Sequence, residues 1–235
     1  MLYKKSLASR FFDFCNIAFM ILFCISVLYP FWNVLMVSLN DQSAGSLTGL
    51  SLLPRKFTLA NYIRVLSFPE IWLGYRETII RTVVGTTLTM LVTAAGAYAL
   101  AQKSFPHRTF WTVVLIIPMF FSGGLIPGYL NVKELGLIDS RWSLIFPSLV
   151  SIYNLTITRN FMMSLPQELR ESAWIDGAGE FRTLFQIILP LSVPILATVT
   201  LWTLVGNWNA WFDAVIYMND AHKMPLQVVL RRIVM

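Results

Sequence analysis

Charged residues leave five long gaps in this chain, from Phe14 to Asn40, Thr82 to Gln102, Thr109 to Val132, Trp142 to Thr158 and Thr183 to Phe212. A helix crossing the hydrocarbon core of a bilayer needs ~20 predominantly apolar residues, with a usable range of about 17–25. Every gap reaches that range, Trp142–Thr158 at its lower edge. Within lipid, only a helix or a closed barrel satisfies all of its backbone polar groups, and these runs lack the apolar–polar alternation of barrel strands. The pattern predicts an all-α, polytopic membrane helix bundle forming one domain over residues 1–235. Its five spans fall at about 14–39, 79–101, 109–130, 142–160 and 184–212. The first run could instead be a signal peptide, but its apolar part from Ile17 to Val37 is too long for one and no small-residue cleavage site follows.

The polar intervals differ in kind. Asn40–Glu77 is long and holds turn residues (Gly45, Gly49, Pro54, Pro69) beside aromatics, with a short helix expected near Leu59–Leu66 behind Thr58 as its cap. Gln102–Arg108 reads as a tight turn around Pro106. The second span is rich in Gly and Ala (Gly85, Ala94, Ala95, Gly96, Ala97, Ala99, Ala101), which lets backbones approach closely in a membrane, so this helix is expected to be buried among the others. Pro118, Gly123, Gly124 and Pro127 interrupt the third span, either lining a cavity or kinking for packing.

Composition agrees with the pattern. Only 13% of residues are charged, against about 25% in soluble domains. The net charge of +6 comes from scattered Lys and Arg without stacking motifs, which suits loops beside anionic lipid and argues against nucleic acid as a partner. Cys15 and Cys24 share one apolar run and form neither a metal motif nor a disulfide framework. His107 and His222 are single loop residues without an assigned role. Lys4, Lys5 and Arg10 ahead of the first span favour a cytoplasmic N-terminus. The remaining basic residues fall almost evenly on the two sides, so the first helix decides the orientation.

The interval Arg159–Leu189 is the informative one. Ser164 with Gln167 reads as a capping box, Pro166 suits a first helical turn, and Leu165, Leu169 and Ala173 make a narrow apolar stripe. Gly177 is placed to end that helix in a left-handed conformation, and Gly179 gives a second soft point before a helix leading to Leu189 and Pro190. By helical pattern alone this is an interfacial helix. The spacing adds more. Glu171, Ala173, Gly177, then nine residues, then Ile187, Leu189 and Pro190 resembles the EAA loop of ABC importer permeases. Six residues at background frequencies of ~5–10% would match by chance on the order of once in a million starts. Ser172 stands where the pattern has its first Ala, one small residue for another.

The segments YPFWNVLMVSLND, PRKFTLANY, SFPHR, PMFFSGGLIPGY, SLPQELRESAWIDGAGE and WNAWFDA are similar to the carbohydrate-uptake branch of that family, near maltose-type and lipoprotein-linked oligosaccharide systems. The resemblance implies a type I importer permease fold in a bacterial or archaeal cell membrane. The family pattern has a sixth span after the segment equivalent to MPLQVVLRRIV, and its absence here is read as truncation. The resemblance also implies a transport subunit rather than an enzyme. There is no GxxxxGK[ST] phosphate loop in the sequence, so no cofactor is expected in this chain, and ATP and Mg would be bound by a partner ATPase.

The implied partners are a cytoplasmic ABC ATPase dimer, a second and different permease, an external solute-binding protein, a carbohydrate and the lipid bilayer. The loop 161–188 would be the cytoplasmic coupling loop and the 165–177 helix the ATPase contact. Its candidate residues are Glu168, Glu171, Ser172, Ala173, Asp176, Gly177, Ala178, Gly179, Leu189 and Pro190. Glu171 would meet a basic ATPase residue, Ala173 would allow close approach, Gly177 would set the angle between helices, and Leu189 with Pro190 would fix the entry of the fifth span. Asn40–Glu77 and Tyr217–Met224 are expected to face the binding protein.

For the solute path, Trp202, Asn207, Trp208, Asn209 and Trp211 offer aromatic faces and amides suited to sugars, or else form an interfacial aromatic belt. Asn154 either lines the path or makes an interhelical hydrogen bond. Two alternatives stand beside the carbohydrate reading: a permease for another solute, and a secondary transporter. The second would need ionisable residues near mid-membrane, whereas Arg81 and Asp213 lie at span edges, and no inverted repeat is visible. A membrane-embedded enzyme would need a metal motif or paired carboxylates within a span, and there are none in the sequence.

Overall fold

The computed structural model describes residues 7–41, 43, 51–121 and 123–234. Lys4 and Lys5, which bear on orientation, and the turn residues Gly45 and Gly49 lie outside the described residues. The described chain is almost wholly helical, and its β pairing is an isolated bridge between Asn40 and Phe57. It divides into two compact units, 1–68 and 69–235.

The first unit holds α1 (Leu7–Ser38) and α2 (Ala60–Leu66). Most of the large apolar side chains of α1 are exposed, so its preferred solvent is lipid rather than water. After α1 the chain doubles back through the Asn40–Phe57 bridge. Asn40 Oδ1 accepts from the backbone N–H groups of Arg55 and Lys56, and Asn61 Nδ2 donates to the carbonyls of Ser38 and Asn40. Asp41 pairs with Lys56 at 2.7 Å. That hydrogen bond, with those from Ser43, lowers the Asp41 carboxyl to about 2. The helix expected near Leu59–Leu66 is α2, with Thr58 Oγ1 accepting from Ala60 N.

The second unit is built around α3 (Pro69–Ala101). Its neighbours in order are α4 (Arg108–Phe120), α5 (Leu125–Glu134), α6 (Ile152–Ser164), α7 (Glu168–Ile175), α8 (Glu180–Thr183), α9 (Leu189–Leu191), α10 (Val193–Asn209), α11 (Phe212–Tyr217) and α12 (Leu226–Val234). α3 packs on α6, α10 and α12. Gly85, Ala94, Ala97 and Ala101 are buried there, as the density of small residues predicts. A Cβ on Gly74 would sit 2.9 Å from Leu226 Cα, so this backbone contact needs glycine, and one on Gly96 would lie 3.1 Å from Leu155 Cδ1, a tight contact with a side-chain end. Ile79, Val83, Leu91 and Val92 of α3 are exposed, while its long polar row (Thr78, Thr82, Thr86, Thr89, Thr93) is buried.

By length and apolarity, two helices of the described residues suffice to cross a membrane alone, α1 from Ala8 and α3; counting each bent pair as one span gives up to four. The expected third span is one such pair: α4 and α5 meet at 117°, with Gly124 at φ 85 in the break. The other is Glu180–Leu191 with α10, bent by 82°. Pro194, lacking an N–H, removes a helical hydrogen bond there, and Leu184–Ile188 winds as a π-helical turn. The Trp142–Thr158 run departs from the single helix expected of it. Its first part forms 3₁₀ turns at Arg141–Leu144 and Phe146–Ser148, and helix begins only at Ile152. Ser140 Oγ caps the first turn, Pro147 breaks the ladder, and Ser151 Oγ accepts from Asn154 N to start α6, which then runs on to Ser164.

Candidate functional site

The loop after α6 is where sequence and structure first differ in detail. Ser164 and Gln167 do not form the expected capping box. Ser164 belongs to the end of α6, its hydroxyl donating to the Phe161 carbonyl, and Leu165 is extended at ψ 142. Pro166 is the cause, because its ring disfavours helical backbone in the residue before it. The helix expected over 165–177 is therefore the shorter α7, and the Gln167 side chain instead donates to Glu171 Oε1 at 2.6 Å.

The other end of α7 matches the sequence reading. Gly177 has φ 75. Ala178 N donates to the Ala173 carbonyl at 2.9 Å and Gly177 N to the Trp174 carbonyl at 3.0 Å, the paired bonds of a Schellman stop. Gly179 is extended rather than left-handed, and α8 starts after it.

α7 presents two chemically different faces. Ala173 and Arg170 point into the protein, while Glu168, Glu171, Ser172 and Asp176 are exposed. Ile175 is 86% exposed and Phe181, just beyond the turn, 81% exposed. Two bare apolar side chains among four acids (Glu168, Glu171, Asp176, Glu180) make a surface that water does not favour and a basic, partly apolar partner would. Leu189 is half-buried against the cluster Ala97, Tyr98, Ala101, Met162, Leu184 and Ile188, and Pro190 is exposed at the bend.

What fastens this surface to the bundle is a set of residues that the sequence reading missed. Arg170, buried on the inner face of α7, donates from Nη2 to the Met162 carbonyl at 2.8 Å and from Nη1 to Gln102 Oε1 at 3.3 Å. Its guanidinium lies 5.9 Å from the centre of the Tyr98 ring. Burial pushes the Arg170 pKa down, against the pull of Tyr98 and Glu180. Tyr98 donates its hydroxyl to Glu180 Oε2 at 2.5 Å, and Lys103 Nζ donates to Gln167 Oε1 at 2.5 Å. The end of α3 is thus tied to α6, α7 and α8 together. One sequence signal pointed this way: Arg170 interrupts the inward face of an amphipathic helix, where a charge needs a partner.

The candidate solute-path residues scatter. Asn154 donates to Thr203 Oγ1 at 3.4 Å, and Asn207 donates to Thr86 Oγ1 at 3.2 Å, so both make interhelical hydrogen bonds. Trp202 on α10 stacks with Tyr153 on α6, ring centroids 6.3 Å apart, and both rings are exposed. Trp208 is half-buried, and Asn209 is exposed at the end of α10. Trp211 is half-buried with the Arg231 guanidinium 3.6 Å above its ring, so one of its faces is taken. Nearby, Arg81, 4% exposed, forms a bidentate pair with Asp213 and donates to the Ala210 carbonyl. The two charges that looked like separate edge residues are partners across α3 and α11.

The opposite end of α3 is fastened as firmly. Glu77, 3% exposed, accepts from both Arg76 and Arg141. Leu226 N donates to Thr78 Oγ1 at 2.9 Å. Asp139, in a left-handed conformation (φ 61), accepts at Oδ1 from Asn219 N and Asp220 N, and its carbonyl accepts from Lys223 Nζ. These bonds order the Tyr217–Met224 segment over an apolar cluster of Val132, Leu144, Ala214 and Val228.

A helical bundle with apolar outer faces, two bent helix pairs and an amphipathic helix ending in a glycine stop is the architecture of a membrane protein. The chain belongs to the family of binding-protein-dependent transport system inner membrane components, whose profile matches residues 2–218. It is 41% identical over 226 residues to protein LplC of Bacillus subtilis (strain 168), covering 96% of this chain and 77% of that one. The polygalacturonan/rhamnogalacturonan transport system permease protein YtcP of the same organism is 36% identical, with 96% and 79% covered. Among solved structures, a bacterial ABC transporter involved in import of the acidic polysaccharide alginate superposes with a TM-score of 0.92 at 30% identity, covering 97% of this chain and 82% of that one. The chain is accordingly the permease subunit of an ABC importer, a transport component and not an enzyme.

Proposed function

We propose that this permease moves a carbohydrate into the cytoplasm and takes its driving force from a separate ATPase that docks on α7. The observation behind this reading is the two-faced build of α7. Its outer face is acidic and partly apolar, and its inner face is bound through Arg170 to the end of α3 and to α6, while Tyr98–Glu180 ties the following α8 to α3. A displacement of the docked helix then has a short, hydrogen-bonded route into the spans. ATP and Mg would be held by the ATPase dimer. A second permease would complete the pore, and the ordered Tyr217–Met224 loop would meet a solute-binding protein on the outer side.

The carbohydrate class is supported by the names of the related permeases and by the exposed Tyr153–Trp202 stack, since sugar rings offer C–H faces that suit aromatic platforms. The test is ATP hydrolysis in proteoliposomes holding this chain with its ATPase and permease partners. Addition of the cognate binding protein loaded with candidate oligosaccharides should raise the rate several-fold and drive sugar accumulation. Hydrolysis indifferent to every loaded binding protein would refute the import reading.

A further inference from the structure

Where α3, α4, α6 and α7 meet, a cavity of about 340 Å³ is lined by Gln102, Lys103, Arg108, Met163, Arg170 and Trp174, among others. Three of these side chains are cationic and none of the lining residues is acidic. Among the described residues Lys103, Arg108 and Arg170 form no ion pair, and Lys103 is met only by the neutral amide of Gln167. Arg159 adds a fourth positive charge, close enough to Arg108 to be repelled by it. Like charges gathered at one place raise the energy of the empty protein and create a potential that attracts an anion.

One further donor is left over. Arg170 is 7% exposed, and its Nε has no hydrogen-bond partner. A buried N–H without an acceptor is destabilising, so a ligand supplying several oxygens would relieve the site. We propose that this cavity binds the phosphate group of an anionic phospholipid at the membrane surface.

The location favours a lipid over free phosphate or another soluble phosphoryl compound. Ala101–Ser104 and Arg108, in the turn between α3 and α4, form one side of the cavity, where two apolar segments of the chain meet. Exposed Phe110 and Trp111 lie two and three residues after Arg108, as aromatic side chains do at the headgroup level. Met163, Leu165 and Trp174 supply an apolar wall for the glycerol and upper acyl carbons. Basic pockets between spans are suited to lipid headgroups of this charge. The site needs only that this turn lies at the membrane surface, and it does not depend on where the ATPase docks.

The test is native mass spectrometry of the intact transporter, stripped of lipid in detergent and offered phosphatidylglycerol or phosphatidylcholine. Retention of phosphatidylglycerol should exceed that of phosphatidylcholine by roughly tenfold, a scale set by several basic residues acting on one anionic headgroup. The variant Arg108→Gln should bring the ratio toward one, with assembly and melting in phosphatidylcholine unchanged. Lys133→Gln, at the far end of the bundle, should leave the ratio alone. Equal retention of both lipids, an equal effect of Lys133→Gln, or displacement of the lipid by millimolar inorganic phosphate would overturn the proposal. So would loss of the lipid on adding the ATPase to a permease-only sample, which would give the cavity to an acidic side chain of that partner. Assembly with the ATPase is read from the same spectra, so failure of docking and failure of the lipid site are separate results.

Discussion

Single residues carry much of the specificity here, and Gly177 shows how. A Cβ placed on it would meet no atom within 4 Å, so space is not the constraint. The constraint is φ 75, which costs a side-chain-bearing residue about 1–2 kcal/mol. Gly177→Val is therefore expected to insert and assemble normally but to reset the angle after α7, leaving ATP hydrolysis while uptake falls several-fold; unaltered uptake in vesicles would contradict this. Asp213 is the second case. Removing it leaves Arg81 buried without a counter-charge, and breaking a buried pair in this way costs about 3–5 kcal/mol. Asp213→Ala should lower the melting temperature of the detergent-purified complex markedly, and the double change Arg81→Leu/Asp213→Ala should restore part of the loss.

Asp139 adds a pH dependence to the same scale. The Asp220 N–H first, then the Asn219 N–H and Lys223, hold its carboxyl below the usual carboxylate range, against the opposing effect of burial. A carboxyl with a depressed folded pKa stabilises fully above its unfolded value, about 3.9, and loses that contribution as pH falls through the folded pKa. Protection factors for hydrogen exchange at the amides of Asn219 and Asp220 should thus hold as pH falls to about 3.9 and drop only below it. In Asp139→Ala they should be low at every pH.

At the scale of elements, the unit that matters is α7 with its fastening to α3. Tyr98→Phe removes one charge-assisted hydrogen bond, to Glu180, and leaves the ring under Arg170 in place. It should cost about 1.5–3 kcal/mol at most and lower transported sugar per ATP more than it lowers ATP hydrolysis. A parallel fall in both would mean simple destabilisation. How much of this unit was legible follows from the range of each interaction. The glycine stop and the EAA spacing are local, so the sequence exposes them directly. The capping box failed locally too, because Leu165 precedes Pro166 and an extended residue there outranks a favourable Ser–Gln spacing. The break in the Trp142–Thr158 run follows from Pro147 and Ser151, signals present in the sequence but outweighed by the missing charge. The Arg170–Gln102, Tyr98–Glu180 and Arg81–Asp213 pairings join residues 68, 82 and 132 positions apart, and no periodicity records them.

For the molecule as a whole, α3 is the common structural member. Its small residues let α10, α6 and α12 close on it, and both of its ends carry hydrogen bonds to neighbouring elements. Near one end Glu77 and Thr78 hold Arg141 and Leu226, and at the other Tyr98 and the carbonyls of Leu100 and Ala101 hold Glu180, Arg159 and Arg170. A helix of 33 residues is about 50 Å long. Held at both ends, it would serve as a lever arm if the transport cycle tilts it, with its fulcrum where neighbouring spans grip it. Tilting such a rod by ~10° about one end carries the other through about 9 Å, on the scale of a sugar ring. The stroke of the transporter would then be set by helix length and the position of the pivot. A change that softens the middle of α3, rather than either clamp, should shorten the stroke while leaving both grips intact.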